Sequence, residues 1–308
     1  MRSQLAELFY KNAAEMPTKQ AIWCDGKVAT YKEMADLISR YSNFLVAKGV
    51  KYGDHIAIPM NNSIESVALF FTAADLGVCL VPLNPTLPLD SIKTAMKSGD
   101  MQHLIARKSF FNECEKNGGV EVPGIKVCLD GDFEGATSFC EVATMPTTRP
   151  ACDHIDGNES LILTMTSGST GSPKPIDISQ QNKLDRSLAH IRVYGLTKED
   201  RILAATPLYH SLAERLVILP LILGATSILL PRFTPALWLK CAAEQKPTFT
   251  IAVSAQLAQI LELLKQEATA SIDSFRSIVS SSALLEEKVK LELIDRLKCE
   301  FHEMYGTS

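Results

Sequence analysis

Apolar residues in this chain recur in two alternating patterns, one with helical spacing and one as short runs of four to six. Thr30 and Glu33 form a capping-box pair ahead of Met34, Leu37, Ile38, Tyr41, Phe44 and Leu45, and Gly49 supplies the stop, so the spacing predicts a helix there. It then predicts a strand at 55–58, a helix over 63–76 ended by Gly77, a strand at 78–81, a helix over 90–97 and a strand at 104–106. Residues 112–158 carry six glycines and three prolines with weak periodicity and read as the least regular part of the chain. Strands are predicted again at 161–166, 202–206, 226–230, 248–253, 277–280 and 300–302. Helices are predicted near 180–193, from the Thr234-Pro235 cap to 245, over 256–267 and over 286–297. Such alternation argues for an α/β fold in which parallel strands are covered by helices on both faces.

One apolar stretch could alter that picture. Residues Leu216 to Leu230 carry no charge, but they are interrupted by Pro220 and Gly224 and fall short of the ~17–25 residues a membrane span needs. A buried helix followed by a buried strand accounts for them. The 308 residues are 46% hydrophobic and 21% charged with a net charge of −4, enough for a large core and without the basic excess of a nucleic-acid or anionic-membrane binder. Eight scattered cysteines, with no C-x-x-C and no histidine at metal-ligand spacing, read as reduced thiols rather than disulfides or zinc ligands. Met1 to Gln20 is broken by Arg2, Glu7, Lys11, Glu15 and Lys19, so no signal peptide is expected and the location expected is cytoplasmic.

The candidate chemistry begins where the 161–166 strand ends. Thr166 to Lys174 place five hydroxyl side chains, two glycines and a lysine in nine residues. A strand ending in such a loop can turn backbone N–H groups, hydroxyls and one ammonium toward a polyphosphate. A Walker loop would put the lysine directly after the second glycine with Ser or Thr behind it; here Ser172-Pro173 intervene and Pro175 follows. The G-x-G-x-x-G dinucleotide pattern is absent as well, and a Ser/Thr/Gly-rich loop without a ligand is the alternative.

At these residues the chain resembles the adenylate-forming superfamily of acyl- and aryl-CoA ligases and nonribosomal adenylation domains, whose signature reads T-S-G-[ST]-T-G-x-P-K-G. The match runs through Lys174 and departs at Pro175, which replaces the final glycine. Three later segments keep the family's order. Thr206-Pro207-Leu208-Tyr209-His210 resembles its P-[LM]-[FY]-H motif, and Ser280-Ser281-Ser282-Ala283-Leu284-Leu285 stands where it has S-G-[GA]-A-P-L. Met304-Tyr305-Gly306-Thr307-Ser308 stands where it has Y-G-x-T-E. Upstream, Thr30-Tyr31-Lys32-Glu33-Met34 is similar to T-Y-x-E-L, and residues 77–83 to G-[AG]-x-x-V-P-L. For the serine run an ordinary Ser-rich turn is the alternative, and for the last segment a frayed terminus. Ser211 to Arg215 reads as a helix start with a charged face and no functional role.

The resemblance implies two packed, doubly wound, mostly parallel sheets with helices on both faces, forming a large N-terminal domain whose small C-terminal lid domain lies downstream. It divides the chain into interleaved subdomains, roughly 60–195 and 12–55 plus 200–308. It implies that Thr166, Ser167, Gly168, Ser169, Thr170, Gly171 and Lys174 serve the ATP β/γ-phosphates, and that His210 lies beside the acid. Ser281, Ser282 and Ala283 would run along the adenine and Tyr305 would stack on it. Gly306 and Thr307 would belong to the nucleotide site, Ser308 would face the α-phosphate, and the acidic ligand for Mg²⁺ would come next, beyond Ser308. The activity implied is ATP-dependent, AMP-forming activation of a carboxylic acid followed by transfer to coenzyme A. Transfer to a carrier-protein thiol, or nucleotide or acyl binding without turnover, are the alternatives. Apolar residues around 208–216 and 251–257 suit a hydrophobic acyl or aryl pocket and equally suit a core.

Overall fold

The computed structural model of the chain describes residues 3–151, 155–166, 174–266 and 272–306. Helix α1 (Gln4–Glu15) opens on Ser3, whose Oγ accepts from the Ala6 N–H at 3.2 Å, and it buries Leu5, Phe9 and Ala13 at intervals of four. A hairpin follows, β1 (Gln20–Cys24) and β2 (Lys27–Thr30). Its Asp25-Gly26 turn has φ of 49° and 79°, and two consecutive positive φ values suit the right-handed twist of paired strands. Spacing alone predicted neither α1 nor this hairpin, although Asp-Gly between two apolar runs is a hairpin signal.

Next come α2 (Tyr31–Ala47), β3 (His55–Pro59), α3 (Ile64–Leu76), β4 (Cys79–Leu83), α4 (Leu89–Ser98) and β5 (His103–Ala106), close to the predicted bounds. The stretch expected to be irregular begins inside α5 (Lys108–Lys116) and holds β6 (Lys126–Cys128), β7 (Thr137–Ser138) and a 3₁₀ turn over Phe139–Thr144. After β8 (Ser160–Thr166) comes a strand that was not predicted, β9 (Lys174–Ser179), before α6 (Gln180–Val193). The remainder alternates strictly: β10 (Arg201–Ala204), α7 (Ser211–Leu223), β11 (Thr226–Leu229), α8 (Pro235–Gln245), β12 (Phe249–Val253), α9 (Ser254–Gln266), β13 (Ser277–Ser281), α10 (Glu287–Leu297) and β14 (Glu300–Met304). The Thr234 cap is real, its Oγ1 accepting from the Leu237 N–H at 3.1 Å. The apolar stretch is α7 and β11, and Gly224 at φ 87° ends the helix with the left-handed conformation that glycine adopts without strain. Among the described residues no helix is long and apolar enough to cross a membrane.

The chain separates into two compact units. The first comprises residues 1–17, 32–61 and 65–186; the second comprises 18–31, 62–64 and 187–308. Residues 32–55, grouped by the sequence with the later half, therefore cluster with the first unit.

The first unit contains a seven-stranded sheet in the order β7-β6-β5-β3-β4-β8-β9, parallel except for the antiparallel β8–β9 pair. One apolar cluster on it joins Ala57, Val81, Leu104 and Cys128 to Ile92 and Met96 of α4 and Phe111 of α5. β9 lies at the sheet edge, where Pro175 faces Met165 in the register. An edge strand tolerates a residue without an N–H, which is why Pro175 does not interrupt the pair.

The second unit contains a sheet in the order β14-β13-β12-β10-β11-β1-β2, parallel except for the β1–β2 hairpin. On one face Leu203, Ile228, Ala252 and Ile278 pack with Trp238 of α8, Leu257 and Ile260 of α9 and Leu293 of α10. α7 packs on β10, β11 and β12 and is buried from Leu212 to Ile222. Tyr31, distant from α7 in sequence, is fully buried and donates its hydroxyl to the Ala225 carbonyl just past that helix at 2.7 Å. The α/β architecture expected from the alternation is present, as two mostly parallel seven-stranded sheets interleaved with helices.

Candidate active site

Strand order in the second unit creates a crevice. From β10 the chain crosses through α7 to β11 on one side, then through α8 to β12 on the other, so the order reverses between β10 and β12. In open α/β sheets a ligand sits outside the carboxyl ends of the strands at such a reversal, where the two following loops diverge. The segments after β10, β12, β13 and β14 all leave the same edge, because those strands are parallel.

The segment after β10 is the Thr206–His210 stretch. Its turn closes when the His210 N–H donates to the Pro207 carbonyl at 3.0 Å, and the His210 carbonyl then accepts from the N–H groups of Ala213 and Glu214 to start α7. Leu208 is buried beneath the turn, Tyr209 is half-buried and His210 is at the surface. The two rings lie 4.7 Å apart at 54°. Partial desolvation of the otherwise exposed His210 imidazole pulls it below its ordinary value, and Glu214 offsets part of that shift; burial pushes the Tyr209 phenol up. At neutral pH His210 is therefore an uncharged imidazole that can both donate and accept.

At the end of β13, Ser282 adopts φ 76°, in the left-handed region where glycine is favoured. A relay holds this turn: Ser280 and Ser254 share a hydroxyl–hydroxyl bond of 3.1 Å, and the Ser254 hydroxyl donates to the Ala283 carbonyl at 2.5 Å. Ser281 is buried and stands in register with Met304 of β14. Just past β14, Tyr305 is fully exposed and Gly306 follows it; Thr307 and Ser308 lie outside the described residues. The structure thus brings Ser281–Ala283 and Tyr305–Gly306 to adjacent strand ends.

In the first unit, Thr166 and Lys174 are register partners at the end of the β8–β9 pair, and Lys174 is exposed. Ser167, Gly168, Ser169, Thr170 and Gly171 lie outside the described residues, as does the side chain of Thr166. Among the described residues no group of three or more His, Cys, Asp or Glu side chains could hold a metal ion.

The expectation for Ser211–Arg215 needs correction. Glu214 is fully buried and Arg215 is only 7% exposed, so they do not form a solvated face. Arg215 Nη1 lies 3.5 Å from His190 Nε2 and 3.5 Å from Met304 Sδ, beneath the end of β14. Tyr194 packs edge-on against both His190 and His302 in the same cluster. Helical spacing marked the polar character of these residues but not their desolvation, because it takes no account of β14. The apolar residues offered as a possible acyl pocket, Leu208, Leu216, Ile251 and Leu257, are all core.

The family described as AMP-binding enzyme matches residues 9–308. The chain is 25% identical over 307 residues to the indoleacetate–CoA ligase of Aromatoleum aromaticum, covering 99% of this chain and 60% of that protein. It is 24% identical over 305 residues to a dimodular nonribosomal peptide synthase of Bacillus subtilis, covering 98% of this chain and 12% of that protein. The crystal structure of the anthranilate CoA ligase AuaEII in complex with anthranoyl-AMP superposes with a TM-score of 0.89 at 23% identity, over 97% of this chain and 59% of that one. This chain accordingly spans less than two thirds of the length of these relatives. Motif order, sheet topology and a family match from residue 9 to residue 308 agree, and the chain belongs to the AMP-binding enzyme family.

Proposed function

We propose that this chain carries the nucleotide- and acid-binding part of an AMP-forming acid–thiol ligase. The observation that carries the reading is the strand reversal between β10 and β12, with the Tyr209–His210 turn and the small-residue turn of β13 at one sheet edge. A carboxylate is a poor acyl donor because oxide is a poor leaving group. In the proposed reaction a carboxylate oxygen attacks the α-phosphorus of ATP, and the bond to pyrophosphate breaks with its electrons on the leaving oxygen. The acyl-adenylate then meets a thiolate at its carbonyl carbon, and AMP departs. Neither step needs a side-chain nucleophile, and the demand on the protein is positioning and charge stabilisation.

In this reading, uncharged His210 orients the acid by hydrogen bonding and does not hold it as an ion pair. The flat turn at Ser281, Ser282 and Ala283 offers backbone to a planar base, and Tyr305 offers an exposed ring for it to stack on. Thr166, the 167–171 loop and Lys174 take the β/γ-phosphates; Ser308 faces the α-phosphate, with Gly306 and Thr307 in the same nucleotide-binding segment. Mg²⁺ would accompany ATP and neutralise phosphate charge. Coenzyme A is the acceptor we favour, as in the indoleacetate ligase; a carrier-protein thiol is the second reading, supported by the similar identity to the peptide synthase.

Calorimetric titration with a panel of acyl- and aryl-sulfamoyl adenosines, stable analogues of the adenylate, tests the reading. We expect saturable binding of at least one, weakened tenfold or more by His210→Ala. Failure of every analogue to bind overturns the proposal. Lys174→Ala and Thr170→Ala should weaken ATP binding, and unchanged affinity removes the phosphate role of that loop.

A further inference from the structure

Residues 62–64 belong to the second unit, although about 140 residues of chain separate them from β10. One side chain there makes three bonds to that unit. Asn62 Nδ2 donates to the Leu230 carbonyl at 2.8 Å and to the Thr206 carbonyl at 3.1 Å, while its Oδ1 accepts from the Leu208 N–H at 2.8 Å. Up to this point β10 and β11 are tied by their own ladder, whose last rung is the Leu230 N–H to the Ala204 carbonyl at 2.9 Å. Beyond that rung the two strands part, and the Asn62 carboxamide satisfies both diverging carbonyls. It also grips the backbone of the turn one residue before Tyr209.

We propose that Asn62 is a positioning residue that sets the Tyr209–His210 turn at the mouth of the site. This rests on the reading of that turn as part of the acid site. The side chain required is specific. It must donate twice and accept once within a single planar group, which a carboxamide does and neither a carboxylate nor a hydroxyl can. Aspartate would keep the acceptor for Leu208 but turn negative oxygen toward two carbonyls. Alanine would release all three groups in a half-buried place where water replaces them only in part. The chemistry assigned to His210 depends on where its ring stands, and the ring's place depends on a turn whose internal closure is the single His210-to-Pro207 bond.

The test compares Asn62→Ala and Asn62→Asp with Thr234→Ala, a control that removes the α8 cap far from the turn in sequence and lowers stability without touching the latch. Amide hydrogen exchange should show Leu208 exchanging at least tenfold faster in Asn62→Ala and close to wild type in Asn62→Asp. In both Asn62 variants the His210 imidazole signal should move in NMR spectra, and sulfamoyl-adenylate binding should weaken at least fivefold. Thr234→Ala should change none of the three. Unaltered Leu208 exchange and His210 signals in Asn62→Ala, or equal changes in Thr234→Ala, would overturn the proposal. Should Asn62→Ala fail to fold, the His210 signal in Asn62→Asp decides. Exchange and NMR shifts need no ligand, so a wild-type chain that binds no analogue refutes the functional reading separately from the latch.

Discussion

Asp75 is fully buried near the end of α3, and its Oδ1 is held by Arg149 Nε at 3.1 Å and Nη2 at 2.5 Å. The same guanidinium donates through Nη1 to Glu7 at 2.8 Å and lies 3.8 Å from the centroid of the Tyr10 ring. Arg149 thereby ties the 146–150 segment to α1 and α3 inside the first unit. Burial pulls the guanidinium down, yet hydrogen bonding to Asp75 with its charge, and then Glu7, carry it above its ordinary value. Replacing Arg149 by alanine leaves Asp75 buried without its two charge-assisted bonds and removes the cation–π contact. Breaking a buried pair from one side costs about 3–5 kcal/mol, mostly the penalty of the stranded charge. At about 2–4 °C per kcal/mol for a unit of this size, the midpoint of thermal unfolding should fall by about 6–20 °C. Arg149→Lys should lose less, keeping the charge but not the fork. The decisive assay is a double-mutant cycle with Asp75→Asn, in which the carboxylate is already neutral. There, Arg149→Ala should cost about 2–3 kcal/mol less than in the wild type. A loss below about 1 kcal/mol, or equal losses in both backgrounds, refutes the reasoning.

Three further outcomes follow from the geometry. Ser282→Gly should raise stability by about 0.5–1 kcal/mol, since leaving a strained left-handed conformation gains about 1–2 kcal/mol and glycine's unfolded-state freedom returns part of it; urea unfolding checks this, and a loss would refute it. Gly124→Ala should cost about 1–3 kcal/mol, because its Cβ would press into a His103 ring held by Asp54 Oδ2 at 2.8 Å and the Ile125 N–H at 3.0 Å, and a neutral result in the same assay would show that the ring can yield. For His210, native and unfolded imidazoles are both neutral well above pH 6.5, and as pH falls through 6.5 the unfolded form protonates first. Wild-type stability should therefore fall more steeply than that of His210→Gln as pH drops from 6.5 to the lower native pKa, and parallel curves from thermal unfolding would refute the shift.

Much of this architecture is local in origin and could be read from residue spacing. The α2 pattern from Met34 to Leu45, the Thr234-Pro235 start of α8 and the β12 run each depend on neighbours within one or two turns. Where spacing failed, a local signal was usually masked. β9 alternates Ile176 and Ile178, but Pro175 lacks an N–H for the ladder, which only an edge position such as this one accommodates. The α1 stripe of Leu5, Phe9 and Ala13 is visible in the sequence, yet it is diluted by five charged residues nearby. The motifs at Thr206–His210, Ser280–Leu285 and Tyr305–Gly306 were legible because each needs unusual residue types at a strand end.

From sequence alone came the alternation of strands and helices, the hydroxyl-, glycine- and lysine-rich composition of Thr166 to Lys174, and the family resemblance. All of these are written in contiguous residues. Tertiary structure decided which strands became neighbours, and with that the reversal between β10 and β12, the burial of Glu214 and Arg215, and the reach of Asn62 to three backbone groups. The physical reason is that desolvation and hydrogen-bond partnership belong to pairs of segments. No local period reports which distant carbonyl a carboxamide will meet.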